Sequence, residues 1–223
     1  MKQWNKIFKK HGKVFLKPDE NAPKIARIFK KYKIGKILDL GCGTGRHVVY
    51  FTKNGFDVYG FDISEEGIRI ASRWLRGEGL KAHFKIGLIY KKFPYKNNFF
   101  DAAISNQAIN HGRIYEIRKA IKEIKRVLKP SGLIFITLRK RRIRKYDLKR
   151  PIIEKYGKQK VSYKMIAPRT YVPIEGGEKN LPHYLFNKKQ IKKEFSDFKI
   201  EEIRASSAGR HYCFWGRLKP SKN

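Results

Sequence analysis

Apolar residues recur along the chain with two different periods, and the two take turns. Short apolar runs stand at 37–40, 58–61, 81–86, 99–105 and 133–138. Each is too short for a helix and reads as a strand; the unbroken ones suit a sheet buried on both faces. Between them, at 45–54, 65–76 and 114–128, apolar positions return every three or four residues, as an amphipathic helix requires. The punctuation agrees. Asn54-Gly55 ends the first of these helices, Ser64 can cap the second and Gly77 close it, and Lys129-Pro130-Ser131-Gly132 stops the third. Strand and helix in alternation predict an α/β fold with a mostly parallel sheet.

The flanks extend the pattern. Residues 4–10 form a short basic amphipathic piece. Asp19 or Asn21 can cap a helix over 22–32, with Pro23 tolerated in its first turn and Ile25, Ile28 and Phe29 as its apolar stripe. Near the other end, Asn187 caps a helix running to Phe195, and strands at 199–204 and 211–218 complete seven, the last one antiparallel. Residues 151–182 have weak periodicity and contain Pro151, Pro168, Pro173, Gly176, Gly177 and Pro182. They read as part of a basic insertion over 139–182 that forms a lid, not as a second domain. A single domain over 1–223 with a basic helical segment at 1–33 is the expected organisation.

The stretch Leu38-Asp39-Leu40-Gly41-Cys42-Gly43-Thr44-Gly45-Arg46 changes the picture from fold to chemistry. A strand ends in a loop of alternating glycines, and a helix follows. Glycine allows the sharp turn off the strand and lets a ligand lie against the peptide plane. The helix start offers its free N–H groups to the same ligand. The spacing G-x-G-x-G differs from the dinucleotide fingerprint G-x-G-x-x-G, because Arg46 stands where the last glycine belongs. Asp39, two residues before Gly41, would repel a pyrophosphate and suits a cationic ligand. Asp62 ends the second strand, where an acid can accept both hydroxyls of a ribose. An adenosine with a cationic sulfonium and amino acid tail fits these requirements.

Leu-Asp-Leu-Gly-Cys-Gly-Thr-Gly, followed by Gly60-Phe61-Asp62-Ile63-Ser64, then 100–105, then Arg126-Val127-Leu128-Lys129-Pro130-Ser131-Gly132, resembles the class I S-adenosylmethionine-dependent methyltransferases. Four motifs stand in that family's order over 37–138. The resemblance implies a seven-stranded doubly wound fold and S-adenosylmethionine as cofactor. Its binding set here would be Asp39, Gly41, Cys42, Gly43, Gly45, Arg46, Asp62, Ile63, Leu88, Ser105 and Gln107. Many relatives place an acid after the third strand for the adenine amino group. This chain has Gly87-Leu88-Ile89 there, so backbone groups near Leu88 are expected to substitute. The tip of the fourth strand faces the reacting methyl in the family, which nominates Asn106, Gln107 and His111. His111 is either a general base or a hydrogen-bonding group of its loop. Relatives with a stretch similar to Leu181-Pro182-His183-Tyr184-Leu185-Phe186 hold it beside the substrate, which adds His183 and Tyr184.

Charge narrows the partner. The chain holds 53 Lys and Arg against 19 Asp and Glu, a net +34 over 223 residues. A surface ion-pair network would need acids that this composition lacks. Residues 1–33 hold 11 bases and 2 acids and residues 139–169 hold 13 and 2, so these segments carry +9 and +11 of the excess. Arg139, Lys140, Arg141, Arg142, Arg144 and Lys145 form the densest run, at the carboxyl end of the fifth strand. A polyanion, most simply ribosomal or transfer RNA, is the expected partner, with a merely solvated basic surface as the bland alternative. No stretch approaches the ~18 apolar residues of a membrane span. The N-terminus lacks the apolar core of a secretory signal. Two cysteines, Cys42 and Cys213, give neither a disulfide framework nor a metal spacing, so a reducing cytoplasm and no metal are expected.

The expected activity is methyl transfer to RNA, with a small-molecule acceptor second, a protein acceptor third and a non-catalytic RNA chaperone last. Methylating carbon 5 of a pyrimidine calls for a cysteine nucleophile near the acceptor. Cys42 lies in the cofactor loop and Cys213 in a late strand. A base nitrogen is therefore the expected acceptor, with a ribose oxygen second.

Overall fold

Alternate residues of one short strand serve opposite faces of the sheet. In β1 (Lys36–Leu40) Ile37 packs with one buried cluster and Leu38 and Leu40 with another. Such two-sided burial is what an unbroken apolar strand predicts. A computed structural model describes residues 3–141, 152–156 and 159–220, with side chains given outside 152–161. Arg142, Arg144 and Lys145 lie outside the described residues.

β1 is followed by α3 (Arg46–Lys53), β2 (Asp57–Asp62), α4 (Glu65–Gly77), β3 (His83–Ile86), β4 (Phe100–Asn106), α5 (Ile114–Val127) and β5 (Leu128–Arg139). Two helices precede it, α1 (Gln3–His11) and α2 (Ala22–Lys31). After the insertion come α6 (Lys188–Glu194), β10 (Phe198–Ala205) and β11 (His211–Leu218). The seven-stranded sheet runs β10-β11-β5-β4-β1-β2-β3. β1 to β5 are mutually parallel, and β11 is antiparallel to both of its neighbours. This is the doubly wound architecture expected, with the last strand reversed. Ser64 caps α4 by accepting from the Gly67 N–H at 3.0 Å, and Asn187 caps α6 through the Gln190 N–H at 2.8 Å.

Two expectations change. The Lys129-Pro130-Ser131-Gly132 segment does not lie outside the fifth strand. β5 already pairs at Leu128 with Phe100, and an irregularity between Phe100 and Ala102 absorbs the extra residues. Asn21 precedes α2 in helical geometry without a side-chain cap; Asp19 instead accepts from the Asn21 backbone and side chain at 2.9 and 2.7 Å.

The insertion is an antiparallel sheet: β6 (Ile152–Tyr156), β7 (Gln159–Ala167), β8 (Thr170–Pro173) and β9 (His183–Tyr184). Tyr163, Met165, Tyr171 and Leu185 form its small core. It joins the main sheet where β5 ends: Phe186 N–H donates to Arg139 O at 2.8 Å and Arg141 N–H to Phe186 O at 2.7 Å. Among the described residues no helix is long and apolar enough to cross a membrane.

Candidate active site

The carboxyl ends of β1, β2 and β4 open on one cavity of about 820 Å³, as the switch point of a doubly wound sheet predicts. Its floor is the glycine loop. Gly41 has φ +73° and donates its N–H to Phe61 O at 2.7 Å. A Cβ at Gly41 would stand 2.2 Å from that of Ala108, so only glycine lets the two loops touch. Gly43 donates to Asp62 Oδ2 at 2.9 Å, and Ser64 N–H to Asp62 Oδ1 at 2.7 Å. Asp62 thus locks the loop to the end of β2 while lining the cavity. Burial pushes its carboxyl up, and backbone donors at Ser64, Gly43 and Ile63 pull it back.

Arg46 reaches over this floor. It donates to Asn106 Oδ1 at 3.0 Å and Lys17 O at 3.3 Å, and its guanidinium lies 5.0 Å over the Phe15 ring. Asn106 is thereby held with its Nδ2 buried and, among the described residues, without a hydrogen bond of normal geometry. Asp39 is buried behind the loop, and its Oδ2 also has no partner among the described residues. Desolvation raises its pKa to about 7, opposed by the charge of Arg46. Asp39 stands behind the cavity floor and does not line it, whereas the Asp62 carboxyl and the Gly41–Thr44 loop do. Cys42, Ile63, Leu88 and Gln107 line the same space. Cys42 is a free, buried thiol whose pKa burial pushes well up. His47 is buried and accepts from the Asp19 N–H at 3.0 Å.

The far end of the cavity holds His111 and His183, with ring centroids 4.6 Å apart. Trp4 of α1 stacks on His111 at 5.8 Å, and Tyr171 of β8 stacks on His183 at 4.7 Å. Burial pushes both imidazoles down, His111 to about 3, helped by the charge of Arg139. Arg139 itself lines the cavity, as do Glu178, Arg210 and His211.

Several expected positions fall elsewhere. Tyr184 is not a stacking platform: side chains alternate along β9, so His183 faces the cavity while the Tyr184 ring packs in the main core 4.8 Å from Phe186. Ser105 sits beneath the floor, its hydroxyl donating to Leu40 O at 3.0 Å. Gly45 does not line the cavity; its missing Cβ lets α3 approach α4, 2.6 Å from where Ala71 Cβ lies. Lys140 and Arg141 are outside the cavity, the Lys140 ammonium 5.4 Å over the Tyr212 ring. Trp4, Tyr171 and Glu178 line the cavity without belonging to any motif of the sequence. Only Trp4 left a signal, in the amphipathic stripe of 4–10.

This fold and floor define a class I, Rossmann-like methyltransferase scaffold. Residues 37–132 match the family described as a methyltransferase domain. The chain is 36% identical over 118 residues to the tRNA (carboxymethyluridine(34)-5-O)-methyltransferase of Arabidopsis thaliana, covering 52% of this chain and 27% of that one. It is 28% identical over 209 residues to an uncharacterised protein of Methanocaldococcus jannaschii, covering 92% and 74%. It spans 26% and 27% of the length of the first two curated relatives it matches. The structure of an S-adenosylmethionine-dependent methyltransferase from Clostridium acetobutylicum superimposes with a TM-score of 0.68 at 14% identity over 98% of each chain.

Proposed function

We propose that the chain transfers the methyl of S-adenosylmethionine to a base nitrogen of structured RNA, ribosomal or transfer RNA, with a ribose oxygen second. One observation carries this reading. Beyond the cofactor floor the cavity gathers flat rings and hydrogen-bonding groups, namely Trp4, Asn106, Gln107, His111, Tyr171 and His183, as a flipped-out base would need. The protein's part in the transfer is to align acceptor and sulfonium in line and to exclude water. The Arg46–Asn106 bond orients the Asn106 carboxamide at the border between the two halves. The net charge of +34 and the tRNA-modifying relative support an RNA acceptor. Arg139 would meet a phosphate or an anionic substituent in the cavity, and Lys140, Arg141, Arg142, Arg144 and Lys145 would grip phosphates of the RNA.

A small-molecule acceptor is the second reading, favoured by the closure of the cavity. Gln3 Nε2 of α1 donates to Lys179 O at 3.3 Å, so α1 and the 174–182 loop meet across the opening. Incubation with methyl-labelled cofactor and total RNA, with and without ribonuclease, decides between them. Ribonuclease-sensitive label and an N-methylated nucleoside by mass spectrometry are expected. Label confined to a small-molecule extract, or a 5-methylpyrimidine as the sole product, overturns the RNA base reading.

A further inference from the structure

His111 and His183 share their end of the cavity with a carboxylate. Glu178 lies in the loop between β8 and β9, its Oε1 3.9 Å from His111 Nε2 and its Oε2 3.6 Å from His183 Nε2. One ligand atom from each of the three residues lies within 4.8 Å of the others. These separations are too long for hydrogen bonds, and His183 Nε2 is buried with no partner among the described residues. We propose that His111, Glu178 and His183 bind a divalent transition-metal ion of the zinc class at the acceptor end of the cavity.

The donor set is two imidazoles and one carboxylate, which is a three-ligand zinc set with a position left open. Bonds of ~2.0–2.2 Å in tetrahedral geometry place ligand atoms about 3.3–3.5 Å apart. The two Glu178 oxygens stand a few tenths of an ångström too far from their imidazoles, and the set of three ligand atoms, spread over 4.8 Å, draws together by up to about 1.4 Å on binding. Glu178 follows Gly176 and Gly177, and Gly176 stands in open space with φ +76°. Both rings are already oriented: Tyr171 lies 11° from parallel to His183, and Trp4 27° from parallel to His111. Outer contacts that fix ligand orientation are part of a working metal site.

The charged groups facing the cluster decide which ion fits. Arg139 acts on all three ligands, and His211 also faces His111. A positive guanidinium opposes any cation held by charge alone. Magnesium and calcium, which rely on oxygen ligands and charge, are disfavoured; an ion bonded covalently to imidazole tolerates the arginine better. All three ligands line the cavity. An ion there would polarise a bound acceptor heteroatom; that role rests on the methyl-transfer reading, whereas ion binding does not.

The test uses the full chain without an affinity tag, stripped by chelator and titrated with Zn²⁺ against a chromophoric competitor. One ion per chain is expected, and Co²⁺ should give the intense visible bands of low coordination. Glu178→Gln and His183→Gln should each weaken Zn²⁺ by at least the ~10–100-fold that losing a mere outer-shell partner costs. His83→Gln, at an exposed histidine outside the cavity, should leave the affinity as it was. Calorimetry with S-adenosylhomocysteine on the same variants reports whether the cofactor half is intact. Absence of stoichiometric binding, a six-coordinate Co²⁺ spectrum of the unmodified chain, or variants that bind Zn²⁺ like the parent would each overturn the site. Neither titration needs an acceptor, so metal binding and methyl transfer fail separately.

Discussion

Gly41→Ala tests the contact on which both halves of the cavity depend. Two costs add. At φ +73° an alanine sits in left-handed backbone, which costs about 1–2 kcal/mol. Its Cβ would also stand 2.2 Å from Ala108 Cβ, where contact normally begins beyond 3.4 Å. The loop after β4 must move outward by more than an ångström, and such overpacking costs about 1–3 kcal/mol. The sum, roughly 2–5 kcal/mol, is a large share of the ~5–15 kcal/mol that stabilises a typical domain. Gly55→Ala is the control, because Gly55 has φ +87° with nothing near its Cβ, so only the backbone cost applies. Urea denaturation followed by circular dichroism gives both values. Calorimetry with S-adenosylhomocysteine should show weaker binding for Gly41→Ala alone. Adding Ala108→Gly should restore the part due to contact. If Gly41→Ala is no more destabilising than Gly55→Ala, the close approach of the two loops is not a constraint.

Asp62→Ala removes two backbone hydrogen bonds to a carboxylate, each worth about 1.5–3 kcal/mol, and the acid meant for the ribose. Cofactor affinity should fall at least tenfold by calorimetry in a chain that still folds, and unchanged affinity would end that assignment. His47 gives a pH signature. Its pKa is lowered to about 3 by burial, so below pH 6.5 the unfolded chain takes up a proton that the folded chain refuses. Stability is therefore lost as pH falls from 6.5 towards 3. The loss from this group is about 2.7 kcal/mol at most by pH 4.5. His47→Gln, which keeps an acceptor for the Asp19 N–H, should flatten that part of the pH–stability curve, and an unchanged slope refutes the assignment.

The cofactor half was legible because it is nearly contiguous. Asp39 to Arg46 and Asp62 belong to one strand–helix–strand unit, so spacing along the chain maps directly onto position in space. Even there, spacing did not separate lining from support: Gly45 serves helix packing and Ser105 holds β4 to β1. The acceptor half draws Trp4, His111, Tyr171, Glu178 and His183 from separate segments, and no period links them. The small sheet was hidden by its prolines. Pro168 lies in the turn between β7 and β8, and Pro173 ends β8 beyond the pairing with β9, so neither interrupts a ladder. His183 and Tyr184 were flagged together, and strand alternation kept one and turned the other away.

The hydrogen bonds between Arg139, Arg141 and Phe186 bring the chain back to the place it left. The excursion from 142 to 185 thus begins and ends at a single point on the large sheet, like a branch from a trunk. Removing or exchanging it would leave every strand order and crossover of the trunk intact, because no strand of the seven is interrupted by it. Selection can therefore rewrite the part of the cavity wall that this branch supplies, including Tyr171, Glu178 and His183, while the glycine-loop floor stays fixed. A graft of the corresponding branch from another enzyme on this scaffold would need to match only two things: the distance between its ends and the identity of the few side chains that look inward.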